Sequence, residues 1–128
     1  MRFEHFALNV TEPVAMTAWY QKHFNIQILS AMKESPFTQW WGDSEGRVFC
    51  EVYYNPKAKV IDFENQHPLE FHFAFAVDDP ESLQNQLIED SATFFEVVNL
   101  DDGSELIMMR DPWGIPLQLC KRGKPFLS

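Results

Sequence analysis

The chain is poor in positive charge, with ten Lys and Arg against nineteen Asp and Glu and a formal net charge of -9. Nucleic acid and anionic membrane surfaces both call for a basic face, so neither is an expected partner. No run of 18 apolar residues occurs, so no membrane-spanning helix is expected. The stretch Met1-Arg2-Phe3-Glu4-His5 sets an acidic residue where the apolar stretch of a signal peptide would be building. Two cysteines, Cys50 and Cys120, are too few for a disulfide framework. Both fall in apparent strands and read as buried thiols, which points to a reducing, cytoplasmic location. What the chain has is apolar mass. It is 45% hydrophobic and 15% aromatic over 128 residues. That is enough for one compact domain or two small intimate modules, and it is not a disordered profile.

A repeat runs through the chain. His5-Phe6-Ala7-Leu8-Asn9-Val10-Thr11-Glu12-Pro13 returns 67 residues later as His72-Phe73-Ala74-Phe75-Ala76-Val77-Asp78-Asp79-Pro80. The same offset carries Glu51 onto Gln118. Each copy thus supplies one His and one Glu or Gln. Such a set can bind a divalent metal and leave coordination positions for substrate. The period is too long for a solenoid and indicates an internal duplication with a pseudo-two-fold.

Residues 2–10 alternate in a strand pattern. Thr11 then reads as an N-cap with Pro13 in the first helical turn. Met16, Trp19, Tyr20, His23 and Phe24 follow at helical spacing, a stripe that should cover a sheet. Strand candidates near 25–32, 37–41 and 46–55 are parted by Ser35-Pro36 and by Gly42 to Gly46, both turn chemistry. The second copy has a strand over 70–77, a helix opened by Asp79-Pro80 that carries Leu83, Leu87 and Ile88, and strands near 93–98, 103–109 and 114–121. The expected fold is α+β: two βαβββ modules, 1–55 and 70–128, joined by a polar linker over 56–69. Their strands are expected to form a cup-shaped mixed sheet with the helices outside, one compact domain in all.

Strand parity places the four repeated residues. Phe6, Leu8 and Val10 lie opposite His5; Phe71, Phe73, Phe75 and Val77 lie opposite His72. Cys50, Val52 and Tyr54 lie opposite Glu51, and Leu117 and Leu119 lie opposite Gln118. The bulky set is accounted for by packing under helices. The other face keeps small or polar neighbours, namely Ala7, Asn9, Ala74 and Ala76. A buried Glu on such a face is costly unless it is paired or binds metal. His23 on the helix stripe and His67 before Pro68 have no such support and read as structural or solvated. Met108-Met109 read as core and pocket filler.

These segments resemble the vicinal oxygen chelate superfamily, which includes glyoxalase I, extradiol dioxygenases, methylmalonyl-coenzyme A epimerase, fosfomycin-inactivating enzymes and bleomycin-binding proteins. The resemblance covers nearly the whole chain and is nearest to glyoxalase I-like proteins. It rests on the two His-led strands, on Glu51-Val52-Tyr53-Tyr54-Asn55, and on Asp111-Pro112-Trp113-Gly114-Ile115-Pro116-Leu117-Gln118-Leu119. The last is similar to the superfamily ending Asp-Pro-x-Gly-x-x-(Ile/Leu)-Glu-Leu, with Gln118 where Glu is usual. The resemblance puts His5, Glu51, His72 and Gln118 on the four metal-ligand positions and Asn55 where an Asn helps hold a thiol conjugate.

It also sets Asn9 where glyoxalase I usually has an Arg for the glutathione carboxylates. The loop Asn99-Leu100-Asp101-Asp102-Gly103 is acidic where a basic residue would be expected. Gln118 replaces the Glu usually assigned as base, and an amide cannot serve as a base. The resemblance therefore implies a metal-dependent lyase or isomerase that moves a proton next to the carbonyl of a small substrate, with Glu51 as ligand and catalytic base. The cofactor is one divalent ion among Ni, Zn, Co, Mn and Fe, since imidazole and oxygen donors favour these over Ca. Asn9 and Asn55, with Trp40, Trp41, Tyr53 and Trp113, are the expected substrate-binding residues. One alternative is a metal-free binding or resistance protein holding a drug-like molecule between those aromatic side chains. Another is an Fe(II) extradiol-type dioxygenase, for which Glu51 lies in the wrong module. Because superfamily members commonly pair modules across chains and apolar sheet edges need cover, a homodimer is expected. In it, His5 and Glu51 of one chain would meet His72 and Gln118 of the other; otherwise all four belong to one chain.

Overall fold

A computed structural model describes residues 1–126. Leu127 and Ser128, the expected end of the second module, lie outside the described residues. The element order is β1 (Phe6–Asn9), α1 (Pro13–Phe24), β2 (Gln27–Ala31), β3 (Gln39–Gly42) and β4 (Val48–Tyr53). A short 3-10 turn, Phe63–Asn65, is followed by β5 (Phe73–Ala76), α2 (Pro80–Glu89), β6 (Thr93–Asn99), β7 (Glu105–Arg110) and β8 (Pro116–Lys121). This is βαβββ written twice. The chain divides into two compact units, Met1–Ile61 and Asp62–Ser128. Each holds one four-stranded mixed sheet, ordered β1-β4-β3-β2 and β5-β8-β7-β6. The first-to-last pairs, β1 with β4 and β5 with β8, are parallel. The other pairs are antiparallel.

In the first unit α1 packs on β3 and β2. The expected stripe is buried at Met16, Trp19, Tyr20 and His23. Tyr20 meets Trp41 with ring centroids 4.9 Å apart, and the Trp41 indole N–H donates to Thr17 Oγ1 at 2.9 Å. Cys50 and Val52 are fully buried on the same sheet face. The N-cap of α1 is Glu12 rather than Thr11, and no side chain caps it. Pro13, at the first helical position, lacks the N–H that a cap would otherwise serve.

In the second unit α2 packs on β6, β7 and β8. The Asp79 side chain caps the helix by accepting from the Ser82 N–H at 3.1 Å. Leu87 is fully buried, whereas Ile88 is exposed and falls off the stripe the sequence suggests. Ile107, Met109, Leu117 and Leu119 fill this core.

The expected linker is divided by the unit boundary, and its second half belongs to unit two. Phe63 is buried, and the Arg110 guanidinium donates to the carbonyls of Phe63 and Gln66 at 2.7 Å and of Gly114 at 3.0 Å. Gly114 has φ 84°, and a Cβ there would stand 2.9 Å from Glu64 Cβ. Left-handed backbone and close approach both require glycine at that turn. Among the described residues no helix is long and apolar enough to cross a membrane.

Candidate functional site

Strand register settles which residues share a face. In unit one Ala7 pairs with Glu51, and Glu51 pairs with Trp40, which pairs with Ser30. One row therefore runs Ala7–Glu51–Trp40–Ser30 across the sheet, on the face away from α1. His5 immediately precedes β1 and has the parity of Ala7. Its ring meets Trp40 edge-on, with centroids 4.7 Å apart. In unit two Ala74 pairs with Gln118, Gln118 with Met108, and Met108 with Glu96. The matching row runs Ala74–Gln118–Met108–Glu96, and His72 immediately precedes β5.

Both rows depend on a bulge in the outer strand. In β2 the register shifts between Ile28 and Ser30; in β6 it shifts between Phe94 and Glu96. One extra residue in each strand resets the alternation and turns Ser30 and Glu96 onto the site face. Sequence reasoning missed both. The only signal was one acid amid apolar residues in Phe94-Phe95-Glu96-Val97-Val98.

The two imidazoles are held alike. His72 Nδ1 lies 2.9 Å from the Pro68 carbonyl oxygen, which can only accept. Nδ1 is therefore the donor in this contact, and Nε2 is the ring nitrogen turned away from it. His5 Nδ1 lies 2.9 Å from Glu4 Oε1. An oxygen behind one ring nitrogen is the usual support of a metal-binding histidine, so the donor chemistry of each unit suits a divalent ion. Glu51 and Gln118 are both half-buried. Gln118 Oε1 accepts from the Cys120 thiol at 3.1 Å. Burial raises the Cys120 thiol above its ordinary range, against the pull of Arg122, which keeps the donating proton in place. Among the described residues no group of three or more His, Cys, Asp or Glu side chains is gathered to hold a metal. Each unit offers one imidazole with one Glu or Gln.

The other sequence candidates have varied surroundings. Trp40 stands in the site row, and Tyr53 pairs with Asn9 at the end of β4. Trp41, next to Trp40 and so on the opposite face, is only 1% exposed under α1 and belongs to the core. Asn9 spends its amide on the 55–59 loop. It donates to the carbonyls of Asn55 and Ala58 at 3.0 Å and accepts from the Asn55 N–H at 2.7 Å. The Asn55 side chain accepts from the Lys57 N–H at 3.0 Å. Trp113 is half-exposed in the β7–β8 turn, its backbone N–H donating to Asp111 Oδ1 at 2.9 Å. His67 Nδ1 accepts from the Leu69 N–H at 3.0 Å, and His23 packs on Trp19; both serve local structure.

A family model described as Glyoxalase/Bleomycin resistance protein/Dioxygenase superfamily matches residues 2–119. No curated protein matches the chain in sequence. Solved structures do resemble it. A glyoxylase/bleomycin resistance protein/dioxygenase domain from Frankia sp. EAN1pec is 16% identical with a TM-score of 0.69, covering 95% of this chain and 98% of its own. The fosfomycin resistance protein FosX from Listeria monocytogenes, complexed with Mn(II) and sulfate, is 14% identical with a TM-score of 0.72, covering 94% and 90%. Lactoylglutathione lyase from Agrobacterium tumefaciens is 16% identical with a TM-score of 0.66, covering 95% and 94%. At these identities the likeness is one of fold.

Proposed function

The chain belongs to the glyoxalase/bleomycin resistance protein/dioxygenase superfamily, and from that premise we propose that it is a metal-dependent lyase or isomerase acting next to the carbonyl of a small substrate. His5, Glu51, His72 and Gln118 hold one divalent ion in this reading, within one chain or shared by two. The observation that carries it is the matched pairing of Ala7 with Glu51 and Ala74 with Gln118, with His5 and His72 just before the paired strands at the parity of those alanines. The support is strengthened by the oxygen behind each Nδ1, which leaves both Nε2 atoms available. A bound Ni, Zn, Co, Mn or Fe ion supplies a Lewis acid for the carbonyl oxygen, making the adjacent C–H more acidic.

Glu51 removes that proton, while Gln118, an amide, orients without acting as base. Asn9 positions the 55–59 loop, and the acidic 99–103 loop sets no fixed cation for a carboxylate. The substrate is accordingly not glutathione-linked. Tyr53, Asn55 and Trp113 are assigned to the substrate side. The protein forms a homodimer, for which light scattering should give twice the 15.0 kDa chain mass.

The test is elemental analysis of protein purified without added metal, followed by deuterium exchange into α-hydroxy ketones. Metal at one ion per site, with exchange lost in Glu51→Gln, supports the reading. Metal-free protein that cannot be loaded sinks it. A second reading, metal-free binding of an aromatic or drug-like molecule, is favoured by the half-buried Trp40 beside His5. Quenching of Trp fluorescence in metal-stripped protein would detect it.

A further inference from the structure

We propose that Glu96 is a second acid–base group of the site, supplying to unit two the carboxylate that Gln118 cannot be. This rests on the proton-transfer reading above. Gln118 pairs with Met108 and Met108 with Glu96, so the three stand in one row on one face. Two steps of strand spacing set the Gln118 and Glu96 Cα atoms about 10 Å apart, with the buried Met108 between them as the floor that one small substrate would lie across. Without the β6 bulge, plain alternation would place Phe95 opposite Met108 and turn Glu96 toward the α2 side, among Ile107 and Met109. The bulge instead aims the carboxylate at the Gln118 face.

The Glu96 side chain has no hydrogen-bond or ion-pair partner among the described residues. Its neighbours in the strand, Phe94, Phe95, Val97 and Val98, are all apolar and exposed. No structural bond accounts for an acid at that position. Unit one distributes the same chemistry differently: its row has a carboxylate on the ligand strand, Glu51, and a small hydroxyl, Ser30, at the bulge. Each row thus contains one carboxylate. In unit one it is in the ligand position; in unit two it is on the outer strand, clear of it.

The step balances without a co-reactant. On the side of the substrate that Glu51 does not serve, a C–H bond beside the carbonyl breaks, its proton passes to a Glu96 carboxylate oxygen, and its electron pair moves into the carbonyl. The protonated Glu96 then returns a proton to carbon, or a deuteron once it has exchanged with D2O. Its removal should cost on the order of a hundredfold in rate.

The experiment uses Zn(II)-loaded full-length protein in D2O with hydroxyacetone and dihydroxyacetone, followed by NMR, together with zinc titration by calorimetry. Glu96→Gln is expected to lose about a hundredfold in exchange while zinc affinity and fold stay those of wild type. Glu51→Gln, a ligand variant, should lose both exchange and zinc affinity. Glu89→Gln, an exposed acid at the end of α2, is the control and should change neither. Glu96→Gln exchange equal to wild type overturns the role of Glu96 and leaves the function standing. Loss of zinc affinity in Glu96→Gln also overturns it, because Glu96 would then be a ligand. A wild type that binds zinc and exchanges nothing overturns the reaction and this role together.

Discussion

The Pro68 carbonyl oxygen stands 2.9 Å behind His72 Nδ1 and determines which nitrogen of that ring is free. His5 has the same relation to the Glu4 carboxylate, one residue away and largely exposed. His5→Ala and His72→Ala should each abolish stoichiometric metal by elemental analysis. Glu4→Ala, which removes only the support, should weaken metal affinity by about tenfold, the low end for such partners. Stoichiometric metal retained in both His variants would refute the ligand assignment.

Thr17 is the polar centre of the first core. Its hydroxyl donates to the Pro13 carbonyl at 2.7 Å and accepts the Trp41 indole N–H at 2.9 Å. Thr17→Val keeps the volume and strands a buried N–H, which costs about 1–3 kcal/mol. Urea unfolding should show that loss in midpoint with little change in slope. Trp41→Phe in the same background should recover part of it, because the orphaned donor is removed.

Asn9 should behave as a loop clamp. Asn9→Ala loses both donated bonds and the accepted one and should cost about 1–2 kcal/mol. Asn9→Asp should fare as badly, since a carboxylate cannot donate to the Asn55 and Ala58 carbonyls. Amide hydrogen exchange over residues 55–59 should rise in both variants. Unchanged protection there would remove Asn9 from this role.

Burial, with the neighbouring Glu51 charge adding to it, pushes the Cys50 thiol far above its ordinary value of 9.0. Burial raises Cys120 as well. As pH climbs through the ordinary thiol range, the unfolded chain loses thiol protons that the folded chain keeps. The unfolded state binds fewer protons there, so stability should fall with rising pH. The contribution is fully present below that range. Iodoacetamide at about pH 8 should leave Cys50 unmodified in native protein and alkylate it in urea.

The sequence by itself determined the duplication, the βαβββ order of both halves and the face on which His5, Glu51, His72 and Gln118 stand. It did so because side-chain direction along a strand has period two. Ala7 and Glu51, or Ala74 and Gln118, can therefore be assigned to a face without knowing their partners. The same rule already separates Trp40 from Trp41, since adjacent strand residues face opposite ways, and α1 then buries Trp41.

Other features were decided by tertiary structure. The Asn9 amide is fastened to a loop 46 residues away. Residues 63–66 join unit two because Arg110 reaches their carbonyls. Glu96 shares the sheet face of Gln118 because one extra residue in β6 shifts the register. A bulge has no hydrophobic periodicity of its own, and long-range hydrogen bonds leave no local pattern. Both exist only once non-adjacent segments are paired, which is why the carboxylate of the unit-two row emerges from the register and not from the repeat.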